Sequence, residues 1–525
     1  MKIGIIIDDG RVARWQARAL REIAVGNDFV VYECTNSRAK WRLLAHALYY
    51  LLNLVSVRNR ETAGVPLPDE VRIAERVSFT AEADGAWQRL PESLLRKIAD
   101  HQPAVVLKFG MGLVRIPPAE QLACPILSYH HGNPGEYRGR PAGFYELLAG
   151  KSTLGQVVQV LTNQLDAGRL VNFAETKVHS DSYRKTLVEA YRCSPLILSH
   201  AIGNALAGHD LPISRNGKNH RLPGNLTVLR FLAKLLRAKI RRLCYGAFFE
   251  KAWRVAEAPL ADGWSPRAPE SLCDERQWRT LPQPSCYGFL ADPFHDPTGN
   301  GILAEAMRHD GRGVIVRLEG SNVQQLQIHG GHCSFPASFV YGGRTFIVPE
   351  TSGWSGLRLL ELSATGTVDR GALRIPGDPR ILDPILHLHD GAVFLFGNLA
   401  GEGDGVLRLW VAGTLFDTFA EHPDSPIRIS PAGGRMGGLI LAHDDSFYRV
   451  GQDSSRGYGD GLLLFHIDQL SRHGYRESDA ASLRFREHRG PHTLNLRRSQ
   501  LLFDYYDNRF SIFAGVRRLK QRRAG

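Results

Sequence analysis

Over the first two-fifths of the chain, short apolar runs alternate with stretches of helical periodicity. Lys2–Ile7, Asp28–Cys34, Ala104–Phe109 and Ile126–Tyr129 read as strands, and Val12–Ala24, Lys40–Leu54, Pro91–Asp100 and Gly143–Ala149 as helices. Proline at the start of the third helix costs little, because the first N–H groups of a helix have no internal partner. Strands that alternate with helices predict a parallel sheet covered on both faces. Reactive groups in such folds gather at the carboxyl ends of the strands, which is where Ser128 to His131 fall.

The pattern changes twice more. From Asn225 to Arg254, Leu226, Leu229, Leu232, Leu236, Ile240 and Leu243 recur at helical spacing with Arg230, Lys234, Arg237, Arg241 and Arg242 between them. This predicts a basic amphipathic helix with two readings: an interdomain helix that packs its apolar stripe, or an anionic-membrane contact through 226–243. From about Cys286 to Phe513, short apolar runs are separated by Asp-Gly, Gly-Gly and Asp-Asp turns. Similar punctuation recurs at Ala291-Asp292-Pro293, Ser334-Phe335-Pro336, Leu382-Asp383-Pro384, Gly433-Gly434-Arg435 and Pro491-His492-Thr493. Repeated short strands with hairpins such as Leu388–Phe394 predict a five-bladed β-propeller. The expected organisation is an α/β Rossmann-like domain over 1–210, a basic helical linker over 211–274, an all-β five-bladed propeller over 275–515 and a basic tail over 516–525.

Composition refines this picture modestly. The 525 residues are enough for two or three domains, and 43% hydrophobic content excludes wholesale disorder. The net charge of +12 suits phosphorylated substrates or an anionic surface. The seven cysteines are scattered and form no CxxC pair, so neither a disulfide framework nor a zinc site is indicated and no metal is implied. The longest apolar stretch, Leu43–Val57, carries His46 and Asn53 and is short for a membrane span. The expected location is the cytoplasm, peripheral to the inner face of the membrane if the basic helix touches it.

The chemistry-bearing segment runs Leu127-Ser128-Tyr129-His130-His131-Gly132-Asn133-Pro134-Gly135-Glu136-Tyr137-Arg138-Gly139, followed by Leu165-Asp166-Ala167-Gly168. Together these motifs resemble the folate-dependent formyltransferases, over roughly residues 1–210. The resemblance implies a formyltransferase-like fold, 10-formyltetrahydrofolate as cofactor, and catalysis by His130 and Asp166. Ser128 stands where the family has asparagine, a donor that is longer and richer in N–H groups. The strand and loop Val105–Gly112 look like those against which the pterin rests, which implies cofactor contacts at Met111, Gly112, Leu113 and Val114. His131, Asn133, Tyr137 and Arg138 are expected at the substrate. The residue types suit the chemistry. A histidine can hydrogen-bond a developing oxyanion, and a nearby carboxylate can orient it and take a proton.

The carboxy-terminal region resembles five-bladed propellers of the glycoside-hydrolase type, and more closely the propeller-like domain of glucosamine inositolphosphorylceramide transferases. The matching stretches are Ala291–Phe294, Phe346–Glu350, Leu382–Pro384, Tyr448–Asp453 and His492–Asn495. Asp292, Asp383 and Glu350 are the expected carbohydrate contacts. Ala432–Met436, where an acid is expected, holds no carboxylate, which favours binding of a glycan over its hydrolysis. The combined expectation is formyl transfer to an amino sugar of a nucleotide- or lipid-linked glycan precursor, with no nucleic acid as partner. The alternative is a degenerate formyltransferase scaffold that carries a glycan-binding or glycosyl-transferring propeller.

Overall fold

The computed structural model describes residues 1–36, 44–117, 124–299, 301–403, 405–497 and 499–524. The chain divides into two compact units, Met1–Ile240 and Arg241–Gly525. The stretch 211–274, read from sequence as a helical linker, is therefore shared between them. Its helix ends at Phe248 and Phe249–Pro259 is a strand of the second unit.

The first unit is built on a seven-stranded sheet: β1 (Lys2–Asp8), β2 (Asp28–Cys34), β3 (Ile73–Phe79), β4 (Val105–Lys108), β5 (Ile126–His130), β6 (Thr153–Val160) and β7 (Arg169–Lys177). The order across the sheet is β7-β6-β5-β4-β1-β2-β3. The five strands from β3 to β5 are parallel, whereas β6 and β7 are added antiparallel. The order 3-2-1-4-5 makes this a Rossmann-like α/β sheet, with its topological switch between β1 and β4. Ile3, Ile5, Ile6 and Ile7 of β1 are fully buried, as a central parallel strand requires.

Helices α1 (Arg14–Glu22), α2 (Ala47–Ser56), α3 (Glu92–His101), α4 (Phe144–Ala149), α5 (Tyr183–Cys193) and α6 (Leu198–Leu206) accompany the sheet. The second helix begins later than its sequence pattern predicts. Leu44–His46 forms a single 3₁₀ turn, and Lys40–Arg42 lie outside the described residues. The long helix α7 (Asn225–Phe248) anchors its first turns through Val228 and Phe231. Both are buried beside Phe144 and Tyr183, and the Phe144 and Phe231 rings stack 4.2 Å apart.

The second unit consists of five antiparallel sheets in chain order. The first four begin at Tyr287–His295, Cys333–Tyr341, Ile381–His389 and Ala432–Met436. The fifth joins the two ends of the unit, with Phe249–Pro259 pairing along its whole length with Gln500–Phe510. The recurring sequence punctuation has a common backbone cause. Asp292, Phe335 and Asp383 each precede a proline and adopt a positive φ of 48–49°, and Gly433, which precedes Gly434, has a φ of 83°. At each of the four the register slips by a bulge, which re-aims the side chain out of the strand alternation. The chain ends in α8 (Ala514–Ala524).

Candidate active site

Alternation along β5 sorts its side chains onto two faces. Ser128 and His130 lie on one face and Tyr129 on the other. Parallel register places Ser128 directly opposite Lys108, the last residue of β4, and Lys108 opposite Ile6 of β1. Two residues beyond Ile6, Asp8 accepts a hydrogen bond from the Met111 amide at 2.8 Å. Asp8, Lys108, Ser128 and His130 thus line one face of the sheet at the carboxyl ends of β1, β4 and β5, beside the switch point. Such crevices are where open α/β sheets bind ligands.

His130 is buried, and its Nδ1 lies 3.4 Å from Asp166 Oδ1. Its Nε2 faces the Tyr137 carbonyl at 3.1 Å. Asp166 sits in the loop between β6 and β7 at φ 47°. The Gly139 amide donates to its Oδ2 at 2.7 Å, and Arg138 clamps the same loop by donating from Nε to the Leu165 carbonyl. Gly132 has to be glycine, because a Cβ there would lie 2.7 Å from His130 Nε2. The loop after β5 therefore folds back over the histidine and meets the loop that carries the aspartate.

Lys108 was not singled out in the sequence, although a lysine closing an apolar strand was the available signal. Burial lowers its pKa to about 8, against the opposing pull of Asp8 and Asp166. Its ammonium is 3.5 Å from the Met111 carbonyl. Lys108 thus pairs in register with Ser128, whose hydroxyl donates to the Tyr129 carbonyl at 3.5 Å.

Several expected site residues are placed elsewhere. His131 points to the opposite face. Its Nε2 is 2.9 Å from Ser194 Oγ, and its ring packs edge-on against Trp15 and Tyr191. Burial and the nearby His130 lower its pKa to about 3, which keeps the imidazole neutral. Asn133 Oδ1 accepts from the Gly135 amide and shapes the loop. Tyr137 stacks on His220 and Arg138 holds carbonyls, so both position the loop. Of the cofactor-contact residues, Val114 is buried among apolar residues that include Leu94 and Ile98 of α3. Met111 at φ 61° and Gly112, whose amide donates to Gln88, form the turn after β4, and Leu113 is exposed. Beside these loops opens a cleft of about 840 Å³ lined by Leu90, Leu95, Arg96, Arg115, Ile116 and Asn163, within the size range of small-molecule sites.

The second unit holds a separate carboxylate cluster. His492 Nδ1 is 3.1 Å from Asp292 and 3.5 Å from Asp504. Burial opposes protonation of His492, but the two carboxylates raise its pKa to about 10. These three residues have the spacing of metal ligands, yet a protonated imidazole between two carboxylates already balances much of the charge. Burial also opposes ionisation of Asp292, but hydrogen bonds from His492 and Thr493 and the charge of His492 hold its pKa below the ordinary carboxylate range. The neighbouring Glu305 is pushed the other way, first by burial and then by Asp292. Glu305 was missed in the sequence, where a carboxylate inside the apolar strand Ile302–Met307 was the signal. Glu350 is raised to about 7 by burial and by Asp383. Asp383 accepts from Arg435 Nε at 2.7 Å and from Gln452 at 3.0 Å. Arg435 comes from the stretch where an acid was expected. Above this row the Tyr458 ring lies 4.7 Å from His492 and within 5.9 Å of Arg435. Asp292, Glu350 and Asp383 therefore belong to one cluster, with Glu305 between them electrostatically. Asp453 instead pairs with Arg484 and Ser455.

Comparisons with known proteins divide along the same line. Residues 319–505 match the family model for the N-terminal region of glucosamine inositolphosphorylceramide transferase 1. The protein of that name from Arabidopsis thaliana is 27% identical over 208 residues, which is 36% of this chain and 27% of the relative. Its counterpart in Oryza sativa subsp. japonica is 28% identical over 206 residues, with the same coverage. The chain thus spans about a quarter of the length of these relatives. Among solved structures, a sugar N-formyltransferase from Shewanella is 13% identical, with 45% of this chain and 87% of that one covered and a TM-score of 0.28. A family 117 glycoside hydrolase from Zobellia galactanivorans is 11% identical, with 37% and 68% covered and a TM-score of 0.28. Overlaps this weak carry no argument, so each unit is interpreted from its own geometry.

Proposed function

We propose that the first unit transfers a formyl group from 10-formyltetrahydrofolate to the amino group of a sugar in a nucleotide- or lipid-linked glycan precursor. The observation that carries this is the His130–Asp166 pair at the switch-point end of β5, with Lys108 and Ser128 on the same face. The donor supplies an activated formyl group. The chain's own residues supply the rest. Lys108 and Ser128 present hydrogen-bond donors to an oxygen that gains negative charge, in a buried setting where such donors act strongly. His130 is held by Asp166 and the Tyr137 carbonyl, and Asp166 receives the proton that the amine must lose. The donor set fits an oxyanion flanked by a proton acceptor.

The five sheets of the second unit are read as the blades of a propeller whose inner strands carry the bulged residues. Its carboxylates, Arg435 and Tyr458 form a polar, aromatic-capped site suited to a carbohydrate, and the similarity of 319–505 to a glycolipid-sugar transferase supports glycan recognition there. The same similarity favours a second reading, in which the first unit is a scaffold and the function lies in the second. Folate binding separates them. Transfer of labelled formyl from 10-formyltetrahydrofolate to amino-sugar nucleotides, lost in His130→Ala, supports the first reading. Failure to bind any folate selects the second.

A further inference from the structure

We infer that the chain docks on an anionic lipid bilayer through the outward stripe of α7. The sequence periodicity points to one apolar stripe on α7, and the structure shows that this stripe is not the packed one. Val228 and Phe231 are buried, whereas Leu226, Leu229, Leu232, Leu236, Ile240 and Leu243 are exposed, from 41% at Leu232 to 64% at Leu243. With about 100° between successive residues, these six occupy one face. Arg230, Lys234, Arg237 and Arg241 form a row along its edge. No acidic residue occurs between Asn225 and Phe248.

The second unit, taken by itself, also exposes apolar residues at its carboxy-terminal end. Phe248 stacks on Phe510 at 6.2 Å. Phe510, Ile512, Phe513, Val516 and Leu519 are each more than half exposed. Arg518 donates to the Tyr245 and Gly246 carbonyls, which ties α8 to the last turn of α7. Arg509 and Arg517 share Glu250, so the edge keeps an excess of positive charge.

Exposed apolar patches of this extent mark an interaction surface. A basic row beside an apolar stripe, with no acidic residue in the helix, is complementary to anionic headgroups over acyl chains, the arrangement of an interfacial helix. No helix among the described residues is long and apolar enough to cross a membrane, so the contact is of the lying type. A second copy would set arginine row against arginine row and is disfavoured by charge.

The test is co-sedimentation of the 525-residue chain with vesicles of phosphatidylcholine alone or with about one-third phosphatidylglycerol, a charge density at which basic segments bind. Binding is expected only to the anionic vesicles and should fall at least tenfold when salt is raised. It should fall likewise in Leu236→Glu/Leu243→Glu, with unchanged melting temperature. The milder Arg237→Gln/Arg241→Gln pair should weaken it several-fold and serves should the apolar variant fail to fold. No binding by the wild type overturns the inference, as does binding indifferent to lipid charge. Self-association that the same substitutions abolish, without vesicle binding, also overturns it and assigns the surface to a second copy.

Discussion

Lys108 and Ser128 face one another across adjacent parallel strands, two residues before His130 on the same face. Under the proposed function, Lys108 is the cationic donor candidate on the face that carries Ser128 and His130. Lys108→Met is expected to lower formyl transfer by about 10²–10³-fold, the usual cost of removing one oxyanion donor. Folate binding should change far less. A loss below about threefold would remove Lys108 from the mechanism.

The same lysine sets a pH dependence. Its pKa in the folded protein is about 8, so the charged form that donates is present below that value and lost above it. Transfer is expected to fall as pH rises through about 8 in the wild type. In Lys108→Met this alkaline limb should disappear from the kcat profile, and its persistence would point to another group.

Asp166→Asn keeps the acceptor for the Gly139 amide but removes the charge that faces His130. Transfer should fall by about 10²–10⁴-fold, the range for general acid–base groups, while the melting temperature shifts by only a few degrees. A large fall in melting temperature would mean that the pair is principally structural.

Glu350 predicts a stability effect in the second unit. Its folded pKa, raised to about 7, lies above the value in an unfolded chain. Stability from this group is complete below about pH 4.5 and is lost as pH rises through 7. Glu350→Gln should therefore raise the melting temperature by a few degrees at pH 8 and have little effect at pH 5. An equal effect at both would exclude the buried acid as the cause.

Arg435 and Asp383 form a buried pair in the same cluster. Arg435→Met leaves Asp383 with Gln452 as its remaining donor, and should cost toward the lower end of the about 3–5 kcal/mol typical of a broken buried pair. It should also abolish any glycan binding by the second unit. Denaturant unfolding that shows less than about 1 kcal/mol would contradict this.

Much of the architecture was visible in the sequence because strand and helix periods are local. The apolar runs at Lys2–Ile7 and Ile126–Tyr129 and the X-Pro punctuation at Asp292 and Asp383 correspond to elements and bulges. What was hidden depends on distant partners. Phe249–Pro259, with two acidic and two basic residues, follows directly on the helical pattern and becomes a strand by pairing with Gln500–Phe510. The stripe of α7 could be found by spacing, but which face meets the core depends on Phe144 and Tyr183. His130 and His131 are adjacent in sequence, yet strand alternation sends one to Asp166 and the other to Ser194. Lys108 gains meaning only from its register with Ser128, and Glu305 from its proximity to Asp292.

The most direct test of formyl transfer in the first unit is isothermal titration with 5-formyltetrahydrofolate, a stable analogue of the donor. The wild type is predicted to bind with micromolar Kd, and Lys108→Met and Asp166→Asn to bind within a few-fold of it while failing to transfer formyl from the active donor. No heat of binding by a correctly folded wild-type protein would contradict the account and leave the carboxylate cluster of the second unit as the functional site.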